Sequence, residues 1–434
     1  MSSPISSAAN PNAPALITDA FTLCYHELAV QVETLCKQLK NWGVEERDRV
    51  AFSCTNNQKI ILLYLALFKL NAVACPFNPR LPEPRKERIL SAFAPKFVID
   101  LEEMSCTRAA STKSEPSIAV LMPTSGSSGP EKIVALSFEN LRSSAEGSTM
   151  RLPLETDDRW LLPLPLFHVS GLILLFRVLL KGAALIISNL PLAKSLEAHR
   201  ATLASLVPTQ LFRLCRDLPS SPSHLKGALL GGAALSPRLF EEAISKGYKI
   251  FSSYGMTEMC AAMTLDLSPK VEGNRLTAGR LLPYRELKLS DEGEILVRGR
   301  TLFLGYWDRE KGLNLPLDAE GWFHTKDRGA VTEDGRLLVL GRRDSLFISG
   351  GENIFPEEIE SVLLSLPGIL EALVLPHPDE EFGQVAHAFI SSELPFSEET
   401  LLAQLKTLLP RHMLPRRIFP FPATSEPGIK RSRK

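Results

Sequence analysis

The strongest constraint on this chain is the change of hydrophobic period along it. Apolar residues recur at three- and four-residue spacing over 25–42, the pattern of an amphipathic helix, and Gly43 ends it. Residues 49–53 then read as a short strand, 58–70 as a mostly buried helix and 96–100 as a further strand. Short apolar strands alternating with helices call for buried sheets layered with helices, an α/β fold. After about Thr277 the pattern shifts. Between Tyr284 and Leu340 short alternating segments are broken at Asp291-Glu292-Gly293 and Glu333-Asp334-Gly335, which read as hairpin turns in a small β-rich subdomain. A boundary is expected near Gly341-Arg342-Arg343-Asp344. Beyond it come two helices (356–365 and 398–409) and short strands such as 371–375. The expected organisation is a large α/β domain over 1–343, with two sheet subdomains and the β-rich one, and a small α+β domain over 344–434.

Composition excludes several classes. The 434 residues are too many for one compact core. Lysine plus arginine (49) equals aspartate plus glutamate (49), so no net field draws in nucleic acid or an anionic surface. Seven scattered cysteines form no CxxC pair and no zinc-spaced cluster, which fits thiols in a reducing cytoplasm. The first basic residue is Lys37, so a secretory signal is not expected. The apolar stretch 60–68 is short and 161–188 is interrupted by His168, Arg177 and Lys181; neither offers the ~20 apolar residues of a membrane span.

The most informative local sequence is Leu121-Met122-Pro123-Thr124-Ser125-Gly126-Ser127-Ser128-Gly129-Pro130-Glu131-Lys132. Two glycines let the backbone curl so that successive N–H groups face inward, four hydroxyls add donors and Lys132 adds charge, which suits a polyphosphate. A flexible Ser/Gly linker is the ordinary reading of such composition. It is disfavoured by the apolar segments on both sides. The spacing is not the GxxxxGK[ST] of P-loop proteins.

This loop resembles the phosphate loop of the adenylate-forming superfamily, which includes acyl-CoA synthetases, although the usual Gly-x-Pro-Lys ending is Gly129-Pro130-Glu131-Lys132 here. Five further segments resemble the same superfamily in the same order. In that resemblance Gly232, Ala233 and Ala234 form a turn against adenine, and within Ser253-Tyr254-Gly255-Met256-Thr257-Glu258 Tyr254 faces the base, Thr257 contacts the α-phosphate and Glu258 holds magnesium. Asp327 in Thr325-Lys326-Asp327 binds the ribose hydroxyls, Arg342 contacts the nucleotide and Asp344 is the hinge. Gly350 and Gly351 of Ser349-Gly350-Gly351-Glu352-Asn353 line the coenzyme A tunnel. Taken singly, these are a tight turn, a strand end, a surface Arg-Arg-Asp and a proline-capped loop. The adenylation lysine of the family, in Pro-x-x-x-x-Gly-Lys, is matched by Lys430 of Pro427-Gly428-Ile429-Lys430, with an isoleucine inserted; the plain alternative is a tail lysine.

The resemblance implies ATP, magnesium and coenzyme A, and an acid activated as its adenylate before transfer to a thiol. Residues 160–171, 206–211 and 229–234 and the Gly-Ile-Lys ending resemble one branch, the o-succinylbenzoate–CoA ligases of menaquinone biosynthesis. That substrate has a second carboxylate, so its pocket needs donors as well as apolar walls. His168, Ser170, Thr209 and Gln210 are the candidate pocket residues. His168 reads equally as a gate or as a hydrogen-bonded core histidine. Ligation of another fatty or aryl acid, and nucleotide binding without turnover, stay open on sequence alone.

Overall fold

The computed structural model describes residues 10–103, 105–108, 115, 117–124, 132–392 and 395–421. Within these, two large sheets enclose a layer of helices. One sheet runs, edge to edge, Gly312–Asn314, Gly305–Asp308, Lys132–Ser137, Ile118–Thr124, Val73–Phe77, Arg49–Ser53, Phe97–Asp100 and Ser105–Arg108. Its centre is parallel, whereas Lys132–Ser137 folds back as a hairpin and Gly305–Asp308 joins it antiparallel. The second runs Ile250–Ser252, Gly227–Leu230, Leu203–Leu206, Arg159–Leu161, Ala184–Ile186, Pro14–Ile17 and Thr22–Cys24, parallel but for the last pair.

Alternation along each strand divides the core. Val50 and Phe52 face the shared interior with the helices Tyr25–Asn41, Gln58–Lys69, Phe138–Thr149 and Val169–Lys181, while Ala51 faces the opposite side with Val73, Cys75 and Phe93. Both faces are covered, so the strands are continuous apolar runs. Phe52, Tyr64, Phe68, Phe138 and Phe176 meet edge to face or tilted, with successive centroids 5.2–5.9 Å apart. Each such side chain contributes roughly 1.5–3 kcal/mol by burial. Asn57 caps the central helix by accepting from Ile60 N at 2.9 Å, worth about 1 kcal/mol.

Most expected elements appear with ends shifted by at most a residue, whereas the strand expected over 371–375 runs Ile369–Asp379. The first helix is Tyr25–Asn41, with Trp42 as its cap and Gly43 at φ +87°. The second stops at Lys69, with Leu70 as its cap. The strand expected over 96–100 begins at Phe97. Residue 409, expected in the last helix, is extended (φ −121°, ψ 146°) because Pro410 disfavours a helical conformation before it.

A meander of Arg285–Leu289, Glu294–Gly299, Phe323–Val331 and Leu337–Arg342 follows, turning at Gly293 and Gly335, both with positive φ. Beyond it, Ile369–Asp379, Gly383–Ser392 and Arg417–Pro420 form a small sheet against Pro356–Ser365 and Glu398–Leu408. These have their own core, including Ile354, Ile359, Leu363, Val374, Ala388 and Leu405. Among the described residues no helix is long and apolar enough to cross a membrane.

Candidate active site

The carboxyl ends of three adjacent parallel strands, Leu203–Leu206, Gly227–Leu230 and Ile250–Ser252, open onto one rim, the usual ligand position in such sheets. Gly231 N donates to Leu206 O (3.2 Å) and Ser253 N to Leu230 O (3.0 Å), so the loops leaving these strands lie side by side. Gly232 takes φ +81°, and Gly232, Ala233 and Ala234 are exposed with little side chain above the backbone. Gly255 is required for space: a Cβ there would lie 2.1 Å from Ala261 O in the tight hairpin that follows.

Tyr254 reaches from this rim to the meander. Its hydroxyl donates to Asp327 Oδ2 at 2.5 Å, and Arg342 Nη1 donates to Asp327 Oδ1 at 3.1 Å. Strand alternation explains the acid: Phe323, Thr325 and Asp327 face inward while His324 and Lys326 face out. Asp327 and Arg342 are opposite each other across one rung. Lys326, immediately before, is held at φ +63° with its N–H on Glu294 Oε1 (2.9 Å). Burial, then the neighbouring Asp327 charge, raises the Tyr254 phenol well above its usual range, so it remains a donor.

A second constellation joins the other sheet. Glu258 lies in the single turn Thr257–Met259, beside half-buried Thr257. Glu258 O accepts from Phe303 N (2.8 Å), and its Oε1 accepts from the Tyr306 hydroxyl (2.9 Å). Lys132 Nζ lies 4.5 Å from the centroid of the Tyr306 ring. Thr124 pairs with Lys132 at the last rung before residues 125–131, its Oγ1 donating to Lys132 O (3.3 Å). Ser125, Gly126, Ser127, Ser128 and Gly129, expected to cradle phosphate, lie outside the described residues. No group of three or more acids, histidines or cysteines placed to hold a metal ion occurs among the described residues. One carboxylate near Lys132 fits magnesium shared with a triphosphate and its waters better than an ion caged by protein.

The acyl-side candidates surround the start of the helix Val169–Lys181. Residues 163–168 lie tightly on its first turn, since a Cβ on Gly171 would be 2.2 Å from Pro165 O. Asn56 clamps this loop, donating to Leu164 O (2.8 Å) and accepting from Leu166 N (2.9 Å). His168 and Ser170 are solvent-accessible. The His168 imidazole nevertheless has its pKa lowered by desolvation. Gln210 accepts from Val207 N (3.1 Å) and donates to Pro163 O (3.4 Å), which joins two loops of the rim. Thr209 Oγ1 is buried without a partner.

Two further groups stand out here that sequence motifs did not mark. Arg177 and Arg285 are buried (3% and 5% exposed) with no acidic partner among the described residues. Arg177 Nε donates to Ser148 Oγ (2.8 Å), while Arg285 Nη2 donates to Ser144 Oγ (2.9 Å) and its Nε has no partner. Burial, reinforced by Arg285, pushes Arg177 down to about 9. The sequence signal was present: a lone arginine inside an apolar helix.

In the C-terminal unit, Gly350 (φ +58°) and Gly351 (φ +89°) turn the hairpin Phe347–Ser349/Glu352–Ile354, with Gly350 pressed on Phe382. Asp344 occupies the single turn Arg343–Ser345 between the meander and this hairpin. Lys430 lies outside the described residues.

Two helix-separated sheets, a meander bringing an acid and an arginine to the strand ends, and a separate C-terminal unit define a nucleotide-binding enzyme of the AMP-binding type. The AMP-binding enzyme family matches residues 5–116 and 101–307, and the AMP-binding enzyme C-terminal domain matches 358–426; the chain belongs to this family. It is 35% identical over 431 residues to the 2-succinylbenzoate–CoA ligase of Haemophilus influenzae (96% of this chain, 92% of that one) and 33% identical to that of Bacillus subtilis (94% and 91%). The o-succinylbenzoate CoA synthetase of B. subtilis in complex with the acyl-adenylate intermediate OSB-AMP superposes with TM-score 0.83 at 30% identity (95% and 92% covered). The same synthetase in complex with ATP and magnesium ion gives 0.84 at 31% (95% and 93%).

Proposed function

We propose that this chain is a 2-succinylbenzoate–CoA ligase that acts through an acyl-adenylate. The observation that carries the reading is the convergence, at one rim, of the Tyr254–Asp327–Arg342 group with the Glu258–Tyr306–Lys132 group. These are groups suited to a ribose and a triphosphate respectively. The acid is supported by the likeness to the succinylbenzoate ligases over nearly the whole chain.

A carboxylate is a poor electrophile because oxide would have to leave. Its oxygen attacks the α-phosphorus of ATP, the bond to pyrophosphate breaks, and a mixed anhydride forms. The thiol of coenzyme A, losing its proton, then attacks the acyl carbon and AMP leaves. Both first reactants are anions, so catalysis is chiefly charge neutralisation and positioning. Thr124, the 125–129 segment and Lys132 hold the outer phosphates, and Thr257 the α-phosphate. Gly232, Ala233, Ala234, Tyr254 and Gly255 receive the adenine, and Asp327 with Arg342 the ribose. Glu258 would hold magnesium, which would supply positive charge where pyrophosphate departs. Lys430 neutralises the adenylation transition state, and Gly350 and Gly351 line the path of coenzyme A.

His168, Ser170 and Thr209 belong to the acyl recess, and Gln210 fixes its loops. The second carboxylate of the acid needs a cation, and Arg177, on the helix that His168 begins, is a buried one without an acidic partner. Residues 344–434 turn about Asp344 between the two half-reactions, because each step needs a different face near one acyl carbon. The reaction belongs in the cytoplasm, on the path to menaquinone. Incubation with 2-succinylbenzoate, ATP, magnesium and coenzyme A should yield the thioester, AMP and pyrophosphate in equal amounts by mass spectrometry. Thioester from benzoate or a fatty acid but none from 2-succinylbenzoate would refute the substrate assignment.

A further inference from the structure

Tyr306 belongs to none of the segments whose spacing points to nucleotide binding, yet it touches two of them. The strand Gly305–Asp308 pairs antiparallel with Lys132–Ser137, setting Tyr306 opposite Val134. Residues two apart on a strand share a face, so Lys132 is the diagonal neighbour of Tyr306 and within reach of its ring. The ring presents its face to Lys132 Nζ at 4.5 Å, a cation–π contact, while the hydroxyl donates to Glu258 Oε1 at 2.9 Å. One half-buried side chain thus contacts both the acid suited to the metal and the cation suited to the phosphates. Its ring edge also packs on Phe303, centroids 4.9 Å apart.

We propose that Tyr306 is a positioning residue that sets the Glu258 carboxylate for magnesium and holds the Lys132 ammonium for the triphosphate. The inference rests on the adenylation reading above. With Oε1 fixed by the tyrosine, Oε2 is left to meet the cation, and the carboxylate no longer loses its rotational freedom at the moment of binding. Lysine carries more side-chain freedom still, and the ring face restrains it before the triphosphate arrives.

Two variants separate this role from simple packing. Tyr306→Phe keeps the ring, its contact with Phe303 and the cation–π contact, and removes only the hydroxyl. Tyr306→Leu removes the ring as well. Binding of α,β-methylene ATP, which cannot release pyrophosphate, is measured by calorimetry across a series of MgCl2 concentrations. For Tyr306→Phe the magnesium giving half-maximal binding should rise about 10-fold, the loss of one charge-assisted hydrogen bond, with affinity at saturating magnesium within about 2-fold of the native protein. Tyr306→Leu should in addition lose roughly 5–10-fold affinity at saturating magnesium. An unchanged magnesium midpoint in Tyr306→Phe would overturn the role toward Glu258. Equal affinities of the two variants at saturating magnesium would overturn the role toward Lys132. A native protein that binds the analogue without any need for magnesium, or not at all, would instead contradict the adenylation reading.

Discussion

The groups proposed to bind the nucleotide and those proposed to receive the acid are built on opposite principles. On the nucleotide side polar groups already satisfy one another: Tyr254 and Arg342 both bond Asp327, and Tyr306 bonds Glu258 while facing Lys132. Away from these pairs buried polar groups are left over: Thr209 Oγ1 and Arg285 Nε have no partner, and Arg177 and Arg285, beside the helix Phe138–Thr149, bring two buried cations with no acid among the described residues. A paired site is preorganised and makes its contacts with little rearrangement. An unpaired one costs stability, because a buried donor without a partner forfeits about 1–3 kcal/mol. Such a cost is the usual signature of a place shaped for a ligand and not for the fold.

The contrast can be broken most severely through the chain's end. Lys430→Ala should lower adenylation by at least ~10²–10³, typical of removing one transition-state charge stabiliser. It should spare thioester formation from supplied acyl-adenylate; equal loss in both half-reactions would show that the lysine does something else. Next in size, Arg177→Met should weaken 2-succinylbenzoate binding on the order of 10²-fold, as when one partner of a buried charge pair is lost. It should also raise Tm, since an unpaired buried charge disappears. Monocarboxylic aryl acids should lose little, and a fall in Tm would mean the guanidinium serves the fold after all.

Thr209→Val tests the same idea more gently. The variant should gain about 1 kcal/mol of stability in urea unfolding by removing an unsatisfied hydroxyl. A loss of stability would indicate that the hydroxyl is partnered in solution. The smallest effect concerns His168. Its folded pKa lies below 6.5, so the unfolded chain binds the extra proton first. That contribution to stability is complete above pH 6.5 and is lost as pH falls through 6.5 towards the folded value. His168→Gln should therefore flatten the decline of Tm below pH 6.5, and an unchanged profile would remove the histidine from the recess wall.

Much of this was legible in order of residues. Strand and helix periods placed the elements read at 25–42, 49–53, 58–70 and 96–100 within a residue, because propensity, capping and burial agree there, but missed the strands Pro14–Ile17, Thr22–Cys24 and Val73–Phe77. Gly255 and Gly171 sat in recognisable segments, and the structure supplies the reason, a backbone too close for any Cβ. What could not be read was pairing between distant strands. Tyr306 is 48 positions from Glu258 and reaches it only because Gly305–Asp308 lies beside the phosphate hairpin. Arg177 was visible only as an interruption in an apolar run, which excludes a membrane span without showing whether an acid waits nearby. Gln210 was equally ambiguous, since its amide could serve a substrate or, as its bonds to Val207 and Pro163 show, the loops around one.

The most direct test omits coenzyme A. With 2-succinylbenzoate, magnesium and ATP alone, the protein should exchange labelled pyrophosphate into ATP, and should do so far faster than with benzoate, succinate or a fatty acid. Exchange supported by none of these acids, or by the others in preference to 2-succinylbenzoate, would contradict the account.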